Sequence, residues 1–195
     1  MTVIVGIATG ATIHLAADRQ VQYGNQAVHG ARKLRRIALD GGDVVIGVAG
    51  SGALMTTTAR MLAQTGLPNV PPNAAADDAV DDWANMVAEA ITALAAATNP
   101  PVTITREGQS GDIDGAVLLG VAGRLYYLFG NQSARAVDGI ATLGIGSELA
   151  LGAVLVGLRH GLTPDEVAAH AVELACRYIP GCGLGGQPPL MMTLP

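Results

Sequence analysis

Aromatic residues make up only 3% of the 195-residue sequence. With 50% of the chain hydrophobic, the core must be built from Ala, Val, Leu and Ile. Such small side chains suit closely packed layers of helix on sheet. Cysteine is scarce as well. Cys176 and Cys182 form no CxxC pair and have no second ligand cluster beside them, which argues against a disulfide scaffold or a zinc site. They could form one disulfide, but nothing else points to an oxidising compartment. Basic charge is short: the net charge is -5, which disfavours a general nucleic-acid binder. The one basic cluster, Arg32-Lys33-Leu34-Arg35-Arg36, reads as the solvated face of a strand. Long apolar runs are missing too. The start lacks the charged segment and long apolar run of a signal peptide. The stretch 149–158 is too short to cross a bilayer and contains Gly152 and Gly157. There is no phosphate-binding glycine loop, and His14, His29, His160 and His170 show no ligand spacing. The expectation is a cytoplasmic protein that binds neither nucleic acid nor membrane.

What is present is ordered. Residues 3–8 and 12–17 are rich in β-branched and apolar residues and flank Thr9-Gly10, predicting a hairpin. A polar segment around Tyr23-Gly24-Asn25 follows. Residues 33–39 and 44–49 predict a second strand pair across Asp40-Gly41-Gly42. Ser51 caps a helix predicted over 51–64. Pro68, Pro71 and Pro72 break the chain before a longer helix over 77–98. Its acidic start, Asp77, Asp78, Asp81 and Asp82, suits the positive end of a helix dipole rather than a metal site. Trp83 falls on its apolar face and reads as packing. Strands are predicted over 116–121, 124–129 and 141–145, and helices over 147–160 and from Thr163-Pro164 to Tyr178. A short strand over 190–194 ends the chain. Strands, two helices, strands and two helices in segregated runs predict an α+β fold, with two sheets held between two helix pairs. The sequence shows no linker long enough to divide residues 1–195, which read as one domain.

The chemistry lies at the start. Thr2 follows the initiator methionine directly. Once Met1 is removed, one residue carries both a hydroxyl and an α-amine, a nucleophile paired with its own base. The residues that accompany it come in a telling order: Thr2-Val3-Ile4-Val5-Gly6, then Ala16-Ala17-Asp18, Asp18-Arg19-Gln20 with Tyr23-Gly24-Asn25, Gly30 to Arg36, Gly47-Val48-Ala49-Gly50-Ser51, and Gly144-Ile145-Gly146-Ser147. In this order the chain resembles proteasome β-type subunits, and most of all the bacterial HslV-like threonine peptidases. The matches are collinear and run through nearly the whole chain.

That resemblance implies a four-layer αββα sandwich of the N-terminal nucleophile hydrolase type. It implies Thr2 as nucleophile, with its α-amine (ordinary pKa about 7.7–8.0) as general base. It implies Lys33 beside the hydroxyl, Asp18 orienting Lys33, Ser147 near the amine, and the backbone N–H of Gly50 as oxyanion hole. The activity implied is threonine endopeptidase, acting on unfolded protein or peptides inside a self-compartmentalised homo-oligomer, ring or related, fed by an ATP-dependent unfoldase. No cofactor is required for that hydrolysis and no metal ligands are assigned. The resemblance leaves room for a structural cation on backbone carbonyls of the late loop, which would leave no side-chain signature. One departure stands out: the stretch 176–182 lacks the late aspartate of many proteasome subunits. Two alternatives accompany this reading, an inactive homologue that only assembles and an amide hydrolase of the same fold acting on small amides. A plain ligand-binding module would leave the ordered Thr, Asp, Lys, Gly and Ser unexplained.

Overall fold

The computed structural model describes residues 2–64, 67–104 and 112–195. Among them, six strands come first: β1 (Ile4–Thr9), β2 (Thr12–Ala17), β3 (Gln20–Tyr23), β4 (Gln26–His29), β5 (Leu34–Leu39) and β6 (Gly42–Gly50). Helices α1 (Gly52–Gln64) and α2 (Asp77–Ala97) follow. Then come β7 (Thr103–Ile104), β8 (Asp112–Ile113), β9 (Gly115–Val121), β10 (Arg124–Phe129), β11 (Gln132–Arg135) and β12 (Ile140–Leu143). Helices α3 (Ser147–Arg159) and α4 (Pro164–Tyr178) and strand β13 (Leu190–Leu194) complete the order.

Two antiparallel sheets form the middle of the molecule. One is ordered β12-β1-β2-β13 and the other β11-β10-β9-β6-β5. Their central strands are buried on both faces, which explains why β1, β6 and β9 read as unbroken apolar runs. Along β6, Val44, Ile46 and Val48 join Leu54, Trp83, Val87 and Ile91 of α1 and α2. Val45, pointing the other way, meets Ile4, Ile13, Leu15, Leu118 and Leu125 between the sheets. Val3, Val5 and Ile7 instead pack on Val154, Val167, Ala171 and Val172 of α3 and α4. Period-two alternation thus feeds three apolar layers, each fully buried Val, Leu or Ile contributing about 1.5–3 kcal/mol. The result is the expected αββα stack. Glycines let the sheets approach: a Cβ on Gly47 would lie 3.1 Å from Ile4.

The helices begin where side chains can satisfy their first N–H groups. Ser51 Oγ accepts from Leu54 N at 3.3 Å. Thr163 and Glu166 form a reciprocal capping box at α4, behind Pro164. Trp83 is buried and donates its indole N–H to Pro68 O at 3.0 Å, the packing role expected of it. At α3 the N-cap is Gly146, with Ser147 the first helical residue, so the Ser147 side chain is not the cap.

Besides the short β7–β8 pair and a 3-10 turn at Val137–Gly139, the structure adds two elements to the sequence reading. The polar segment after Asp18 is a hairpin, β3 paired with β4, with every residue from Val21 to Gly30 exposed. It buries no face, so it carries no alternation. β11 is a polar edge strand on β10. Residues 105–111, between the helix expected over 77–98 and the strand expected over 116–121, lie outside the described residues.

Candidate active site

β1 and β2 pair so that the residues before one and after the other meet at the same end of the sheet. Asp18 N donates to Val3 O at 3.1 Å, and Val3 N donates to Asp18 Oδ1 at 3.0 Å. The other sheet supplies the cation. Lys33 immediately precedes β5 and accepts from Val48 N through its carbonyl at 3.1 Å, which fixes its backbone to β6. Its side chain reaches across the sandwich. Lys33 Nζ donates to Thr2 Oγ1 at 2.9 Å and to Asp18 Oδ1 at 2.7 Å.

All three groups are secluded: Thr2 is 4% exposed, Asp18 0% and Lys33 5%. A buried ion pair is tolerated only when its remaining hydrogen-bonding capacity is filled. Here Asp18 Oδ2 accepts from Gln20 N and Gly183 N, both at 3.2 Å. Four donors therefore converge on one carboxylate, three of them backbone N–H groups that cannot swing away. The loop carrying Gly183 is fastened in turn by Arg19 N to Gly183 O at 2.9 Å and Arg19 Nε to Pro188 O at 2.8 Å. Residues 176–182 supply no carboxylate, but the loop just beyond them supplies this backbone donor.

Thr2 is held by its own backbone as well. Gly146 N donates to Thr2 O at 3.3 Å. Gly144, at φ +93°, lies so close that a Cβ there would sit 2.2 Å from Thr2 O. Only glycine fits on both counts. Ser147 follows Gly146 and opens α3, half-buried, with its N–H donating to Gly144 O at 3.1 Å. Gly50 ends β6 at φ +144°, and a Cβ there would meet Asp114 O at 2.3 Å.

Thr2, Lys33 and Gly50 line one cleft of about 650 Å³, together with Val21, Tyr23, Arg32, Arg35, Val48, Ser51 and Met55. The hairpin that the sequence reading treated as a polar connection therefore forms one wall of the cleft. A larger groove of about 890 Å³ runs over α3 and α4 and shares no residue with this cleft. Volume does not pick out the reactive site here; the hydroxyl, ammonium and carboxylate do.

Cys176 and Cys182 are free thiols. Burial, helped by the nearby Asp18 charge, pushes Cys176 up to about 12 and Cys182 up to about 11. Both therefore stay protonated at neutral pH, and a protonated thiol is a poor nucleophile and metal ligand. Among the described residues, no three His, Cys, Asp or Glu side chains cluster as metal ligands, and no helix is long and apolar enough to cross a membrane. Met1, whose removal the sequence reading expects, lies outside the described residues.

No family model matches the chain. A 53-residue stretch is 45% identical to the ATP-dependent protease subunit HslV of Roseobacter denitrificans, covering 27% of this chain and 29% of that protein. The match thus spans less than a third of the relative's length. Solved structures match the whole fold. Eukaryotic HslV from Trypanosoma brucei superposes with a TM-score of 0.65 at 22% identity, over 98% of each chain. Thiobacillus denitrificans BPH superposes with a TM-score of 0.73 at 18% identity, over 98% of this chain and 97% of that one. The same protein in complex with epoxomicin gives 0.70 over the same shares. The fold is therefore the α+β sandwich of these solved structures.

Proposed function

We propose that this chain is a threonine endopeptidase subunit with Thr2 as its nucleophile. The observation that carries this reading is the contact of Lys33 Nζ with Thr2 Oγ1 at 2.9 Å, in a cleft, with Asp18 behind the ammonium at 2.7 Å. A threonine hydroxyl attacks only once something takes its proton. Removal of Met1 makes the Thr2 α-amine available as that base. The Lys33 ammonium stabilises the developing alkoxide and favours the neutral amine by like-charge repulsion. Asp18 keeps the Lys33 side chain aimed at Thr2 Oγ1.

The reaction follows in two halves. Thr2 Oγ1 gives its proton to the α-amine and adds to the scissile carbonyl. The oxyanion is met by the Gly50 N–H, held in place by a backbone conformation open to glycine. Collapse expels the new amine, which leaves with the proton from the α-ammonium, and an ester remains on Thr2. Water then gives a proton to the same α-amine and adds to the ester. Release of the acid returns the proton to Oγ1. Ser147, one residue from the Gly146–Thr2 contact, positions the amine or a water beside it.

An accessible site of this kind would cleave indiscriminately, so we read residues 1–195 as one domain of a homo-oligomeric compartment that encloses its clefts. Leu151, Leu155, Val156, Leu174 and Tyr178 are 38%, 45%, 57%, 38% and 63% exposed on α3 and α4, which suits burial between subunits. The HslV relative is named an ATP-dependent protease subunit, which supports an ATP-driven unfoldase as partner and the cytoplasm as the place of work.

Intact mass spectrometry tests the reading. The purified chain should be lighter by one methionine and should gain the mass of one epoxomicin per chain, the ligand bound in the BPH structure. Thr2→Ala should abolish both the adduct and cleavage of fluorogenic peptides. A chain that retains Met1, or that cleaves peptides without Thr2, would overturn it.

A further inference from the structure

We propose that the Thr2 cleft selects peptides with an acidic side chain at the residue preceding the scissile bond, and that Arg35, assisted by Arg32, reads it. The proposal rests on the peptidase reading above and names its substrate class. Three cations line the cleft, Arg32, Lys33 and Arg35, and no Asp or Glu does so among the described residues. Lys33 is already matched to Asp18. Arg32 and Arg35 are exposed and make no ion pair among the described residues.

The other arginine of this strand is spent differently: Arg36 pairs with Asp43 and lines a separate pocket. Arg124 and Arg135 are tied to Asp77. Two unmatched guanidiniums in a cleft of a chain with net charge -5 form a local positive field where substrate must enter.

Strand geometry sets the position that is read. Lys33, just before β5, touches the nucleophile, and Arg35, two residues on within β5, lines the same cleft. Two extended residues span about 7 Å, roughly two residues of a bound extended peptide. The long arginine stem lets its fork reach back to the side chain beside the reacting carbonyl. Val48 and Met55 line the same cleft and give apolar contact to the methylenes of a glutamate. A bidentate guanidinium–carboxylate pair then supplies discrimination, and a lysine in its place would meet like charge.

The test uses the full chain in its native assembly and three peptides identical except for Glu, Leu or Lys before the scissile bond. Cleavage is measured with the wild type, and binding by fluorescence anisotropy with Thr2→Ala. The Glu peptide should be cleaved with kcat/KM at least tenfold above the Lys peptide and should bind more tightly. Arg35→Glu with Arg32→Glu should reverse that order, and 0.5 M NaCl, an added condition of roughly 4 Å screening length, should shrink it. Arg36→Gln should leave the order intact. Equal or weaker binding of the Glu peptide would overturn the proposal whether or not anything is cleaved. Preferential binding without cleavage by the wild type would overturn the peptidase reading and leave the acidic preference standing.

Discussion

Gly183 donates its backbone N–H to Asp18 Oδ2 at 3.2 Å from 165 residues further along the chain. The carboxylate that aims Lys33 is thus held partly by a late loop. Changing Asp18 to Asn keeps the size but sets an amide NH2 among donors, opposite the Lys33 ammonium and the N–H groups of Val3, Gln20 and Gly183. Breaking a buried pair from one side costs about 3–5 kcal/mol. Asp18→Asn should therefore lower the urea midpoint sharply and slow epoxomicin adduct formation by at least 100-fold. Retention of wild-type stability and rate would show that Asp18 does not hold the ammonium.

Gly50 admits no side chain, because a Cβ would lie 2.3 Å from Asp114 O at φ +144°. Gly50→Ala should cost about 1–3 kcal/mol from backbone strain alone, and more if the strand end shifts. On the proposed mechanism, peptide cleavage should fall further than the fraction unfolded explains, because the N–H assigned to the oxyanion would move with the strand. Chemical denaturation combined with kcat on the folded fraction separates the two effects.

Much of this site was legible in the sequence, for identifiable reasons. Thr2, Asp18 and Lys33 meet through side chains, so their identities carry the signal, and the strands β1 and β6 read as apolar runs because both of their faces are buried. The hairpin walls of the cleft were not legible: β3 and β4 are exposed on both faces, so no pattern marks them. The donors from Gly183 and Gly146 were invisible for another reason. A backbone N–H belongs to every residue but proline, and only the fold says where it points.

The two thiols give a pH signature. Burial raises Cys176 from the usual 9.0 to about 12 and Cys182 to about 11. The unfolded chain therefore loses these protons first. The folded state keeps its full advantage below about pH 9 and loses it as the pH climbs toward 11 to 12. Urea midpoints should be level from pH 7 to about 8.5 and decline above it. Cys176→Ala should flatten that decline. In the native state at pH 8, iodoacetamide should label both cysteines slowly, and unfolding should speed labelling by at least tenfold. Rapid native labelling would contradict the buried, protonated thiols.

The start of α4 offers a stability test independent of the site. Thr163 Oγ1 accepts from Glu166 N at 3.4 Å, and Glu166 Oε2 accepts from Thr163 N at 2.9 Å and from Thr163 Oγ1 at 2.7 Å. These bonds hold the Glu166 carboxyl below its usual range. Its contribution is therefore present above the unfolded value near 4.5 and is lost as the pH falls through the lower folded value. Thr163→Ala removes the cap, typically about 1 kcal/mol, so Tm should drop by about 2–4 °C at pH 7. Because the mutant has already lost the hydroxyl bond, the larger of the two that favour the ionised carboxyl, and keeps only the backbone N–H of residue 163, its deficit should narrow as both proteins are taken below pH 4. Scanning calorimetry at pH 7 and pH 3.5 checks both points, and a deficit that widens on acidification would show that the capping box does not hold the carboxylate in its charged form.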